Sequence, residues 1–191
     1  MEKFKVSPSP LPGLLIIEPH PFADDRGFFM EFLNRDEFAR FGLRENWVQL
    51  NQSRSKKGVV RGLHYQINPS PMGKLVKCVR GKIFDVGVDI RQGSPTWGKW
   101  FGETLTAENH QMLYFPPGFA HGFLALEDGT EVVYACTGVF APHDERALLW
   151  NDPDIGIKWP LDQINGKLVV SERDQKHPGL KNCATNFVCA A

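Results

Sequence analysis

The sequence lacks an excess of charge of either sign, because 22 Lys and Arg residues are balanced by 22 Asp and Glu residues. Nucleic acids and anionic membranes attract basic proteins, so this balance gives no electrostatic reason to expect either as a partner. The chain also lacks an apolar run close to the ~20 residues that cross a bilayer. Its start is charged and soon interrupted by prolines, which is unlike a signal peptide. We therefore expect a cytoplasmic protein that binds neither nucleic acid nor membrane.

Cysteine is also scarce. The four residues Cys78, Cys136, Cys183 and Cys189 form no CxxC pair and show no disulfide framework spacing. A chain of 191 residues can bury a substantial apolar core without such bonds. We therefore expect free thiols in a reducing compartment. No repeat, low-complexity tract or linker divides the chain, so residues 1–191 are predicted to form a single domain.

Aromatic residues and turn formers are abundant, with 14 Phe, 5 Trp, 18 Gly and 14 Pro. Strands are predicted at residues 14–18, 28–33, 47–51, 58–66, 74–79, 83–90, 100–105, 112–115, 122–126, 131–140 and 147–150. One helix is predicted over residues 36–41, with Asn34 as its cap and Gly42 as its stop. This pattern predicts an all-β protein, best matched by a cupin-type jelly-roll barrel with one or a few short helices. A barrel of this size holds about one small ligand, inside it or at its mouth.

The segment 83–90 has the clearest strand pattern. One face carries Phe84, Val86, Val88 and Ile90, and the other carries Ile83, Asp85, Gly87 and Asp89. Period-2 alternation of this kind indicates a strand with one dry face. The two aspartates on the opposite face are either in solvent or turned into a polar cavity.

Three side chains in predicted strands offer acid–base or electrostatic chemistry. His64 could act as a base near neutral pH, although a lone strand histidine is more often a half-buried structural residue. Strict alternation would place Arg61 and His64 on opposite faces of the strand. Arg61 could therefore share a pocket with His64 only if a bulge interrupted that alternation. Tyr134 could donate a proton, although a core tyrosine is the commoner interpretation. Lys74 could hold a phosphate or polarise a carbonyl, although most lysines lie in solvent.

His121 ends a Pro-x-Gly-x-x-His turn that resembles the second metal-binding motif of cupins. A metal site needs three or four convergent ligands. The first cupin motif would supply two histidines separated by one residue, and no such pair occurs in this sequence. A metal-dependent cupin is therefore the weaker interpretation, and we predict no metal ligands. His121 is either structural or an ordered partner of an acid such as Asp85.

Taken together, several ordered segments resemble the dTDP-4-dehydrorhamnose 3,5-epimerase family, which has a cupin fold. The resemblance extends from about residue 13 to 178. It is carried by residues 25–29, 49–53, 61–66, 73–78, 84–91, 94–98, 117–123, 150–153, 157–160 and 171–174. So many matches in order are far more specific than any single motif.

The resemblance implies a cofactor-free mechanism. His64 would be the base that removes protons at C3 and C5 of the sugar, and Asp174 would pair with it. Tyr134 would be the acid on the opposite face, and Lys74 would stabilise the enolate oxygen on C4. The pocket would also include Arg61 and His121, with Asp85 as the partner of His121.

The same resemblance implies a binding site for deoxythymidine diphosphate. The residues expected to hold it, across the interface of a homodimer, are Arg26, Phe29, Glu31, Gln49, Asn51 and Gln66. The N-terminal strand could be exchanged between the two subunits. Val139 and Phe140 stand where the family commonly carries two tyrosines, and the ring of Phe140 could still stack on the base or the sugar.

The expected activity is therefore epimerisation of dTDP-4-dehydro-6-deoxy-D-glucose at C3 and C5 to dTDP-4-dehydro-L-rhamnose. This product is the precursor of L-rhamnose for cell-surface polysaccharides. One alternative is an epimerase that inverts only C3 or only C5. The other is a cupin that binds a nucleotide sugar or a metal without epimerising. The tail, residues 179–191, has no interpretation.

Overall fold

Short strands joined by turns make up most of the described chain, residues 2–189 of the computed structural model. The strands are β1 Phe4–Pro8, β2 Leu15–Pro19, β3 Phe22–Asp24, β4 Gly27–Phe29, β5 Gln49–Ser55, β6 Val59–Gln66, β7 Lys74–Arg80, β8 Lys82–Asp89, β9 Trp100–Thr106, β10 Met112–Phe115, β11 Phe119–Ala125, β12 Thr130–Cys136, β13 Glu145–Ala147 and β14 Val169–Val170. Helix α1 is Arg35–Arg40, and two 3₁₀ helices are Leu161–Ile164 and Leu180–Asn182.

Two sheets face each other across the core. The first has the order β1-β2-β10-β7-β12-β5. The second has the order β13-β6-β11-β8-β9, and β14 pairs with β6 in parallel. Strands β3 and β4 form a separate hairpin. The prediction of an all-β jelly-roll barrel is confirmed.

Apolar side chains from both sheets fill one part of the barrel interior. They include Leu14, Val76, Cys78, Ile83, Leu105, Leu113, Phe115, Phe119, Phe123 and Val132. Alternation along β7 turns Val76 and Cys78 into this interior, while Leu75 packs against the outer face under α1. Lys74 therefore shares the inner face with Val76. The remaining part of the interior is left for polar side chains.

The two faces of β8 separate as predicted, but neither face is in solvent. Val86, Val88 and Ile90 lie on the outside of the barrel, where the C-terminal segment with Ile155 and Phe187 covers them. Ile83 and Asp85 face the interior, and Asp85 and Asp89 are fully buried. The solvated alternative for the two aspartates is therefore wrong, because Asp85 pairs with His121 inside the barrel and Asp89 accepts hydrogen bonds from Arg91, Ser94 and Thr96.

Helix α1 begins and ends as expected. The Asn34 side chain accepts hydrogen bonds from the backbone N–H groups of Asp36 and Glu37, both at 3.1 Å. The predicted strand 28–33 ends at Phe29, and the predicted strand 131–140 ends at Cys136. Strand β1 was not expected, because Phe4 and Val6 are too short an alternating pattern to indicate a strand; it forms by pairing along its whole length with β2.

The described part of the tail packs against the barrel. Phe187 is buried in the outer cluster, and the Thr185 hydroxyl donates to the carbonyl of Ile90 at 2.9 Å. Residues 190–191 of the uninterpreted tail lie outside the described residues. All four cysteines are free thiols, as expected. Among residues 2–189, no helix has the length and apolar character needed to cross a membrane.

Candidate active site

The unfilled part of the barrel interior is a cavity of about 570 Å³ between the two sheets. Its walls are formed by Ser53, Val59, Val60, Arg61, His64, Lys74, His121, Phe123, Tyr134, Val169, Val170, Ser171, Arg173 and Asp174. A recess of about 130 Å³ shares His64, Lys74 and Tyr134 with it and adds Gln49, Asn51, Gln66 and Phe140. An outer groove of about 650 Å³ beside residues 167–170 is larger, but its lining contains no histidine, tyrosine or carboxylate. The cavity is therefore the candidate active site.

A bulge in β6 brings Arg61 and His64 to the same cavity. His121 pairs with His64, whereas Phe123, two residues later, pairs with Arg61, so β6 has one extra residue in this stretch. Gly62 allows this bulge because glycine can adopt its φ of +127° and because a Cβ at this position would lie 2.5 Å from the Cα of Gly122. The bulge that the sequence required for a shared pocket is confirmed.

Asp174 reaches His64 from the turn that follows β14. The distance between His64 Nε2 and Asp174 Oδ1 is 2.8 Å. Burial by itself would raise the pKa of Asp174, but hydrogen bonds from His64, Gly62 and Ser171 and the charge of a protonated His64 lower it to about 2. An ionised carboxylate can only accept, so His64 Nε2–H is the donor. The lone pair of the neutral ring therefore lies on Nδ1.

Lys74 lies on the inner face of β7 and lines both the cavity and the recess. Its ammonium donates to the backbone carbonyl of His64 at 3.4 Å. Burial lowers the pKa of Lys74, and the nearby Cys136, Glu145 and Asp85 oppose that shift. The amine of Lys74 thus lies close to the part of β6 that carries His64.

Tyr134 enters the cavity from the other sheet. It lies on β12, which belongs to the first sheet, whereas His64 lies on β6 in the second. Burial raises the pKa of Tyr134. Its phenol is therefore protonated at neutral pH, as a proton donor must be. The imidazole and the phenol therefore enter the cavity from opposite sheets.

His121 and Asp85 form a second imidazole–carboxylate pair, as expected, at 2.7 Å between Nε2 and Oδ1. Both side chains are buried. Burial raises the pKa of Asp85, against the opposing effects of His121 and Lys74. Burial also lowers the pKa of His121. The pair forms a fixed polar part of the cavity wall.

Gln49 and Gln66, both expected at the nucleotide, line the recess and make hydrogen bonds to the loop after β12. The buried Gln66 amide donates to the carbonyls of Ser70 at 2.8 Å and Val139 at 3.2 Å, and accepts from Ala141 N–H at 2.8 Å. Gln49 accepts from Phe140 N–H at 2.9 Å and donates to Asn51 Oδ1 at 3.1 Å. These contacts hold the half-exposed ring of Phe140 at the mouth of the recess.

Three other residues expected at the nucleotide lie away from the cavity in the single chain. Arg26 pairs with Asp24 on the β3–β4 hairpin, and Phe29 beside it is 68% exposed. Glu31 pairs with Lys3 and accepts a hydrogen bond from Asn34 at 2.6 Å. None of the three lines either part of the cavity.

Two polar side chains at the site were missed from the sequence. The Ser53 hydroxyl is buried at the cavity wall and has no hydrogen-bond partner within residues 2–189. His177 Nε2 lies 3.3 Å from Asp174 Oδ1. Its position three residues after Asp174, in the same turn, is a signal that could have indicated it.

The profile of the family described as dTDP-4-dehydrorhamnose 3,5-epimerase matches residues 8–182. The dTDP-4-dehydrorhamnose 3,5-epimerase of Methanothermobacter thermautotrophicus is 46% identical over 181 residues, covering 95% of this chain and 97% of that protein.

Two solved structures share the fold. The dTDP-6-deoxy-D-glucose-3,5-epimerase of Legionella pneumophila, in complex with dTDP-4-keto-L-rhamnose, has a TM-score of 0.89 and 38% identity, covering 95% of each chain. A 3'-monoepimerase of Streptomyces bikiniensis, in complex with dTDP-quinovose, has a TM-score of 0.84 and 35% identity, covering 91% of this chain and 87% of that one.

Proposed function

Because this chain belongs to the dTDP-4-dehydrorhamnose 3,5-epimerase family, we propose that it inverts C3 and C5 of dTDP-4-dehydro-6-deoxy-D-glucose. The product is dTDP-4-dehydro-L-rhamnose, and the enzyme is an isomerase. One observation supports this most strongly: the His64–Asp174 pair and the Tyr134 phenol line opposite walls of one cavity. Inversion of a carbon needs a base and an acid on opposite faces.

In the proposed first step, His64 Nδ1 removes the proton from the carbon next to the C4 ketone. The electron pair of the C–H bond moves into a carbon–carbon double bond, and the C4 oxygen becomes an enolate. Asp174 stabilises the imidazolium that results, because its ionised carboxylate accepts the Nε2–H at 2.8 Å. The pair also keeps the reactive lone pair on Nδ1.

Lys74 is the proposed partner of the enolate oxygen. A proton beside a ketone is far less acidic than an imidazolium, so the base needs stabilisation of the charge that develops on oxygen. A partly buried ammonium supplies it in a region where water is scarce. Tyr134 then delivers a proton to the carbon from the face opposite His64. Solvent then takes the proton from the His64 imidazolium and returns one to the Tyr134 phenolate. The same steps can therefore repeat at the second carbon, and no cofactor enters the proposal.

The other cavity residues would hold the substrate. Arg61 supplies a guanidinium, and His121, oriented by Asp85, supplies a fixed polar group. The unpartnered Ser53 hydroxyl is free to bond a sugar hydroxyl. Asn51 lines the recess beside Phe140, whose ring is placed to stack on the sugar or the base. Gln49 and Gln66 would act mainly by positioning the Phe140 loop.

The enzyme is proposed to act as a homodimer. The single chain exposes apolar side chains on the β3–β4 hairpin and on edge strand β5, with Phe28 56%, Phe29 68% and Leu50 67% exposed. Such a patch is typical of a protein interface. In the dimer, the hairpin of one subunit would carry Arg26 and Phe29 to the partner's cavity, where they would bind the nucleotide with Glu31 nearby, and the N-terminal strand could be exchanged.

Replacing Phe29 with aspartate should therefore produce monomers in sedimentation velocity and raise the KM for the nucleotide sugar, because a charge would be buried in the interface. Val188→Asp places the same charge at a residue that is 75% exposed on another part of the chain and should leave the dimer intact. A monomeric wild type, or a dimeric Phe29→Asp variant with unchanged KM, would contradict this arrangement.

Cytoplasmic location and a role in L-rhamnose supply for cell-surface polysaccharides complete the proposal. The four free thiols fit a reducing compartment. Nucleotide-activated sugars are intermediates of such biosynthesis.

A second candidate is inversion at one carbon only. The similarity to a 3'-monoepimerase supports it, together with the residues at 139 and 140, where Val and Phe stand in place of the tyrosines common in the family. Both residues are exposed beside the recess, with Val139 65% and Phe140 50% exposed. A changed aromatic surface there could hold the intermediate in an orientation that permits only one proton transfer.

Proton NMR of dTDP-4-dehydro-6-deoxy-D-glucose in D₂O, with chelator-treated protein, tests the function. Exchange of the signals at both C3 and C5, with formation of the L-configured product, is expected. Exchange at one carbon would support the single epimerase instead. Absence of exchange at both carbons would overturn the proposal and favour a cupin that only binds a nucleotide sugar.

A further inference from the structure

His177 turns its imidazole toward the same carboxylate that His64 uses. The Nε2 atoms of His64 and His177 lie 2.8 Å and 3.3 Å from Asp174 Oδ1. One ligand atom from each of the three residues lies within 4.8 Å of the other two. His177 Nε2 is buried and makes no hydrogen bond within the described chain. The proposed mechanism gives this imidazole no task.

Two imidazoles and one carboxylate form a donor set suited to Zn²⁺ and related divalent cations. Bonds of about 2.1 Å in a tetrahedral site place ligand atoms about 3.4 Å apart. The 3.3 Å between His177 Nε2 and Asp174 Oδ1 is close to that value, and the 2.8 Å between His64 Nε2 and Asp174 Oδ1 would have to lengthen. The guanidinium of Arg173, the residue before Asp174, is turned to Glu145.

We propose that His64, Asp174 and His177 bind a divalent cation of the Zn²⁺ class, and that the bound cation inhibits the enzyme. This inference rests on the proposed function, because the cation would bind the histidine that is proposed as the base. A metal on His64 Nε2 takes the lone pair of that nitrogen, so the proton of the neutral ring moves to Nδ1. Nδ1 can then no longer accept the substrate proton. The cation also occupies the carboxylate that would stabilise the imidazolium.

The test compares chelator-treated wild type with His177→Asn and with His143→Asn, which changes an exposed histidine outside the cavity. Co²⁺ is added first, and its visible absorption reports binding whether or not the protein turns over substrate. Wild type and His143→Asn should develop the bands of bound Co²⁺, which Zn²⁺ then removes. His177→Asn should bind Co²⁺ about 100-fold more weakly than wild type does. Loss of an outer partner of a metal ligand alone lowers metal affinity by up to about that factor.

The activity measurement is a Zn²⁺ titration of epimerisation. Wild type and His143→Asn should be inhibited, whereas His177→Asn should turn over normally without metal and resist Zn²⁺. Inhibition of His177→Asn at the same Zn²⁺ concentration as wild type would overturn the proposal. So would unchanged Co²⁺ absorption with wild type. Binding of Co²⁺ by a protein that lacks epimerase activity would support the metal site and refute the proposed function separately.

Discussion

Replacement of His64 by asparagine is expected to reduce epimerisation by about 10²–10⁴-fold, the usual contribution of a general base. The same variant should lose deuterium exchange at C3 and C5, because the imidazole paired with Asp174 is the proposed base at both carbons. The epimerisation rate of Asp174→Asn should be reduced by a similar factor, because an amide neither stabilises the imidazolium nor fixes the Nε2–H tautomer. Turnover and exchange by NMR in D₂O measure both effects.

Two variants make this result specific. His143→Asn removes an exposed histidine and should keep full activity. Tyr134→Phe removes the acid but leaves the base, so it should lose product formation while exchange at the first carbon persists. Near wild-type turnover in both His64→Asn and Asp174→Asn would contradict the assignment of the base. Equal loss of exchange and product in Tyr134→Phe would contradict the assignment of the acid.

Lys74→Met should lower turnover by about 10²–10³-fold, as expected when one preorganised partner of a developing oxyanion is removed. Substrate binding should change less, because the charge on the C4 oxygen appears only during reaction. Burial lowers the pKa of Lys74, and the protonated amine is the active form. The wild-type rate should therefore fall as pH rises, at a lower pH than an exposed lysine would give.

Lys77 provides a matched control on the same strand. It is buried, its ammonium donates to the His110 carbonyl at 2.7 Å, and burial lowers its pKa to about 8. Its side chain lies on the opposite face of β7 from Lys74 and does not line the cavity. Lys77→Met should therefore keep its turnover. An equal loss in both variants would indicate a general effect on the fold rather than on the enolate.

The sequence by itself determined the class of fold and much of the chemistry. Alternation along 83–90 separated the two faces of β8 correctly, and Asn34 and Gly42 marked the ends of α1. These are local properties, since a strand turns successive side chains to opposite faces and a helix needs a cap at its first turn. The ordered motifs also indicated the family, although no single one of them was specific.

The tertiary structure alone decided which of these residues meet. His64 and Asp174 are 110 positions apart, and no local pattern in the turn after β14 points to the bulge at Gly62 that turns the histidine toward it. The partners of Gln66 likewise depend on a distant loop, because its side chain bonds the backbone on both sides of Phe140. Period-2 alternation defines two faces but not what covers them, and that is decided by contacts between segments remote in sequence.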